Sequence, residues 1–140
     1  MDEKEKRYEE WEAEMRAKEQ AKLAESKRLG VKVGIWVHLP GRKTSRATHM
    51  AMNGKPFLLS EGLYDSAVGR KVLPSQEPGC HCTYRDFVPE FGDVATPEIE
   101  KLLQEAERAE HANAPRERGS WATVISAFWS ALRRRERGKP

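Results

Sequence analysis

Arg46-Ala47-Thr48-His49 and Pro78-Gly79-Cys80-His81-Cys82 bound the stretch that decides how this chain is read. The segment opens on a histidine and closes on the only two cysteines, one residue apart. Thiolate and imidazole are the donors preferred by soft and borderline metals, and they converge if the residues between fold back. A C-x-C pair makes a poor disulfide because so tight a ring strains the bond geometry. His49, Cys80, Cys82 and His81 are the expected ligands of a closed, structural zinc site, with His38 the alternative to His81. In the blander reading the cysteines are small semi-buried residues and His49 simply packs.

Composition places the core around this stretch. The chain has 140 residues, 38% hydrophobic and 34% charged, with a formal net charge of +3. That is poor in apolar residues for a globular domain, and they are sparsest over the first 28 positions. The expected division is a charged amino-terminal helix over 1–30, a compact core over 31–95, and carboxy-terminal helices with a basic tail over 96–140. A core this small gains from a metal or a partner. The charged start is unlike an apolar signal sequence, and no apolar run reaches membrane-span length. A reducing cytoplasmic or particle-bound setting is expected.

Outward from the core, residues 2–28 are helix formers without Gly or Pro. Tyr8, Trp11 and Met15 form a thin stripe, and Glu3–Arg7, Glu12–Arg16 and Glu14–Lys18 lie at i, i+4 in the favourable order. So polar a helix is expected to be solvated or to project toward a partner. Val31, Val33, Ile35 and Val37 alternate and predict a strand with these residues on one face. Residues 44–53 suit a short helix capped by Thr44 or Ser45. Asn53-Gly54 suggests a hairpin whose second arm is Lys55–Leu59. A further extended piece is expected at Val72-Leu73, and an edge strand or irregular clamp across Tyr84, Phe87, Val88 and Phe91. The fold class is therefore α+β, a small hairpin-containing core with flanking helices.

Thr96-Pro97-Glu98 is a helix start, with Ile99, Leu102, Leu103 and Ala106 as its stripe. A last helix from Ser120 carries Trp121, Val124, Ile125, Phe128, Trp129 and Leu132. Its amphipathic form suits a groove on another protein, or a membrane surface, with the groove preferred. The final eight residues hold Arg133, Arg134, Arg135, Arg137 and Lys139 against Glu136, suited to non-specific contact with DNA phosphates.

Catalysis has less support. Asp65, Asp86, Glu90 and Asp93 supply carboxylates for a base beside a metal-bound water, but in no catalytic spacing, and surface carboxylates are the ordinary expectation. Walker, H-E-x-x-H and nucleophile-elbow patterns are absent.

Trp36, Ser45-Arg46-x-x-His49, Asn53-Gly54, Phe57 and Pro78-Gly79-Cys80-x-Cys82 together resemble the core of the phage minor head proteins, the phage Mu protein F-like or head morphogenesis family. The resemblance covers about residues 36–84. Thr44 stands where that pattern has its first Arg, the Asp usual upstream is missing, and Glu77-Pro78-Gly79 replaces His-Pro-Asn. Members are usually longer, with a large helical portion ahead of the core. The resemblance implies a non-enzymatic virion protein present in few copies, assisting capsid assembly, DNA packaging or ejection beside the portal. It also implies a compact α+β fold and polar residues suited to a metal. The alternatives are a metal-dependent nuclease or hydrolase, and a DNA-binding accessory factor.

Overall fold

Val33–Val37 (β1) is the centre of a three-stranded antiparallel sheet ordered β2-β1-β5, with Pro56–Leu58 (β2) on one side and Thr83–Asp86 (β5) on the other. The computed structural model describes residues 1–40 and 46–114. Glu3–Arg28 (α1) precedes the sheet, Ala47–Met52 (α2) lies between β1 and β2, and Pro97–Asn113 (α3) follows. A second ribbon pairs Leu63–Asp65 (β3) with Arg70–Val72 (β4), and a 3-10 turn spans Pro89–Phe91. The α+β class with flanking helices is observed. Residues 1–109 form one compact unit, and the last expected helix with its basic tail lies outside the described residues.

The alternation on β1 marks only half of its burial. Val33 is fully buried among Leu58, Phe87 and Ile99, beneath Ile35 and the α3 residues Leu102, Leu103 and Ala106. Trp36, on the opposite face, is equally buried among Met52, Phe57, Leu59, Val72, Tyr84 and both cysteines. Successive strand residues point to opposite faces, so a central strand covered on both sides buries both sets. Trp36, not the valine row, faces the cysteines.

Asn53-Gly54 makes a turn, though not the expected hairpin. Asn53 has φ −53° and ψ 127°, Gly54 has φ 81°, and the Lys55 N–H donates to the Met52 carbonyl at 2.9 Å. Those are the features of a type II turn, closing α2 and delivering the chain to β2. The hairpin is instead β3–β4, where the Gly69 N–H donates to the Asp65 carbonyl at 2.8 Å. The α3 start follows expectation, with Thr96 Oγ1 accepting from the Ile99 N–H at 3.3 Å.

The α1 helix is solvated over most of its surface and docks on the core through one face. The Ser26 hydroxyl is buried against the Tyr84 hydroxyl at 2.8 Å, and Lys22 donates to Thr83 Oγ1 at 3.0 Å and to the Tyr84 carbonyl. Thr83 Oγ1 donates to Glu19 at 2.6 Å, and the Gly79 N–H donates to Glu12 at 2.6 Å. Glu12, Glu19, Lys22 and Ser26 share one helix face, which docks through hydrogen bonds rather than apolar area. Leu23 is its main apolar contribution to the core. Of the expected intrahelical pairs, Glu14–Lys18 closes at 2.8 Å and Glu12–Arg16 at 4.0 Å.

Candidate metal centre

Two segments deliver three donors to one buried point. His49 comes from α2, and Cys80 and Cys82 from the loop that enters β5. His49 Nδ1 lies 3.2 Å from Cys80 Sγ and 3.8 Å from Cys82 Sγ. The three donor atoms all lie within 4.8 Å of one another, close enough to hold a metal ion together. His49 and Cys82 are each 2% exposed and Cys80 7%, so the group is closed from solvent. Both cysteines are free thiols.

Asp65 completes the arrangement from β3. Its carboxylate Oδ2 accepts from His49 Nε2 at 2.9 Å, and its Oδ1 accepts from the Ala67 N–H at 2.9 Å. Burial works to raise the Asp65 carboxyl. The Ala67 N–H and His49 outweigh it, and the pKa falls below its ordinary value. An ionised Asp65 only accepts, so the proton of His49 sits on Nε2 and the Nδ1 lone pair faces the sulfurs. A carboxylate holding the far nitrogen of a ligating histidine is the usual outer support of such sites.

The cysteine loop has its own clamp. Arg46 Nη2 donates to the Pro78 carbonyl at 2.9 Å and lies 3.9 Å from Glu77, whose buried carboxylate also pairs with Arg70. Ser75 Oγ donates to the Cys82 carbonyl at 2.8 Å. Hydrogen bonding from Cys82, set against burial, brings the Cys80 thiol down to about 5. Its partner role toward Cys80, together with burial, drives Cys82 upward.

Of the expected ligands, His49, Cys80 and Cys82 come together and His81 does not. The His81 ring sits against Trp11, with centroids 5.1 Å apart, and its Nε2 is 3.4 Å from the Tyr8 hydroxyl. Residues 80 and 82 turn their side chains inward, and the residue between them turns outward to α1. Asp65 is fully buried, contrary to the surface placement expected of it. Asp86, Glu90 and Asp93 belong to the β5–α3 segment and take no part. Asp93 accepts from Arg85 and from the Val88 N–H, each at 2.9 Å. Trp121, Val124, Ile125, Phe128, Trp129 and Leu132, and the arginines from 133 onward, lie outside the described residues. Sequence reading missed the Glu77 clamp and the support role of Asp65; a carboxylate shows no spacing signal when its partner is sixteen residues upstream. No family model, curated protein or solved structure matches the chain.

Asp65→Asn is expected to weaken metal binding by roughly 10–100-fold. The amide has one oxygen for two N–H donors, and turning its NH2 toward His49 drives the imidazole proton onto Nδ1, where the lone pair is needed. Linkage follows the depressed carboxyl. Asp65 contributes stability in full above the unfolded value near 4, and loses it as pH falls through the lower folded value. Asp65→Asn should therefore be less stable at neutral pH and lack that part of the acid transition, as read by metal titration and denaturation across pH.

Proposed function

We propose that this chain is a non-enzymatic structural protein of a phage head, with a zinc-pinned core, assisting capsid assembly or DNA packaging beside the portal. One observation carries this reading. Residues that bear the resemblance to the phage minor head proteins, scattered from Trp36 to Cys82, gather around one buried point. Trp36 packs edge-on against His49 and against Phe57, each at 5.6 Å between centroids. Arg46 holds the Pro78 carbonyl, and Asn53-Gly54 turns the chain behind His49.

The donor chemistry favours zinc. With Zn–S near 2.3 Å and Zn–N near 2.0–2.1 Å, tetrahedral angles put neighbouring N and S donors about 3.6 Å apart. The 3.2 and 3.8 Å separations bracket that edge. Closed sites of this kind contribute folding energy, whereas catalytic ones keep an open position. The burial of all three donors favours the structural role over a hydrolase.

Two measurements test the reading. Elemental analysis of the purified chain should give one zinc per chain. Mass spectrometry of proheads and virions from a lysate carrying this chain should find it in a few copies per particle. Its absence from both particles would overturn the head-protein reading, and zinc-free protein would overturn the pinned core.

A further inference from the structure

Three donors leave a structural zinc one ligand short, since such sites are almost always four-coordinate. We propose that His38 supplies the fourth ligand through Nδ1 and closes the site as Cys2His2. This inference rests on the zinc reading above.

His38 follows β1 directly, two residues beyond Trp36, and strand alternation places both on the face that carries the cysteines. Its Nδ1 lies 3.4 Å from Cys82 Sγ. That is close to the edge of about 3.6 Å set by a common tetrahedral zinc. The backbone there is already anchored. The His38 N–H donates to Asn53 Oδ1 at 2.9 Å, and the Gly54 N–H donates to the Trp36 carbonyl at 2.8 Å. His38 stands beside Cys82 but outside the close His49–Cys80–Cys82 group, so binding requires its side chain to turn toward the ion.

Among the described residues, the other nearby donors are occupied. Asp65 is divided between His49 and the Ala67 N–H, Glu77 is held by Arg46 and Arg70, and His81 is held against Tyr8 and Trp11. His38 is half-buried, whereas His49, Cys80 and Cys82 are closed off. It would be the ligand nearest to solvent.

The test uses the full chain, with zinc affinity measured by competition with a chromophoric chelator and cobalt(II) as a spectroscopic stand-in. His38→Ala should cost more than the roughly 10–100-fold that loss of an outer-shell partner costs. Its cobalt spectrum should shift as water replaces the nitrogen. His38→Cys should remain four-coordinate and gain thiolate-to-cobalt charge-transfer intensity from a third sulfur. His81→Ala should match the parent in both readouts. Unchanged affinity and an unchanged cobalt spectrum in His38→Ala would overturn the assignment, as would a shift seen with His81→Ala instead. If the parent chain takes up no zinc, the zinc reading itself falls; if it takes up zinc and His38→Ala does too with equal affinity, only the fourth ligand falls.

Discussion

On the zinc reading proposed above, a Cys80→Ser/Cys82→Ser chain is expected to melt at least about 15 °C below the metal-loaded parent, or to show no cooperative transition at all. The preformed site exists only in the folded state, so binding free energy is folding free energy, and structural zinc is worth roughly 10–16 kcal/mol in small domains. Even about 3 kcal/mol of that shifts Tm by some 12–24 °C in a unit of this size. The loss should be large because the cysteines belong to the cluster beneath Trp36, and the loop that carries them also seats α1 through Gly79. A strong chelator added to the parent should reproduce most of the shift. A melting curve indifferent to both treatments would remove the pin from the fold.

Acidity should matter in a defined direction. Metal ligands must be deprotonated, so stabilisation by the proposed zinc should grow as pH rises and fade as it falls. In the metal-free chain the depressed Cys80 contributes stability that is full above the ordinary thiol value of 9.0 and is lost as pH falls to about 5. The raised Cys82 has the opposite sign, and costs stability once pH exceeds the ordinary thiol value.

Gly62→Ala is the second large effect, expected to cost roughly 2–5 kcal/mol through a strained backbone and an overpacked contact. Gly62 has φ 88°, and a Cβ there would stand 2.3 Å from the Val72 carbonyl oxygen. That oxygen cannot easily withdraw, because Val72 pairs with Leu63 in the β3–β4 ribbon. Gly62 also donates its N–H to the Leu58 carbonyl at 2.8 Å, which ties the ribbon to the end of β2. Any shift of β3 moves Asp65 relative to His49, so zinc affinity should fall with stability. Gly54→Ala is the control: its φ is similar, and nothing lies within 4 Å of the added carbon. It should show the backbone strain alone, about 1–2 kcal/mol. Equal melting temperatures for the two variants would mean the contact with Val72 is relieved without cost.

Apolar rhythm and donor chemistry were legible in the residues. β1, the start of α3 and the meeting of His49 with Cys80 and Cys82 all follow from local spacing or from ligand type. What escaped was set by long-range polar contacts. The face of α1 that docks is written in Glu12, Glu19, Lys22 and Ser26, a set that hydrophobic periodicity counts as solvent-facing. Asp65 looked like any surface carboxylate until β3 placed it behind His49. Alternation on β1 drew attention to Val33 and Ile35, whereas the single large ring at position 36 organises the opposite side. Asn53-Gly54 announced a reversal correctly, but its partner strand could not be read from the dipeptide.

The two-sided burial of β1 has a mechanical corollary. Val33 faces α3 and Trp36 faces the cysteines, so one layer of backbone separates the helix from the ligand set. Slack introduced on the ligand side has nowhere to be absorbed in a strand paired along both edges. Emptying or filling the site should therefore change how tightly α3 is gripped, making that helix a remote gauge of whether an ion is home.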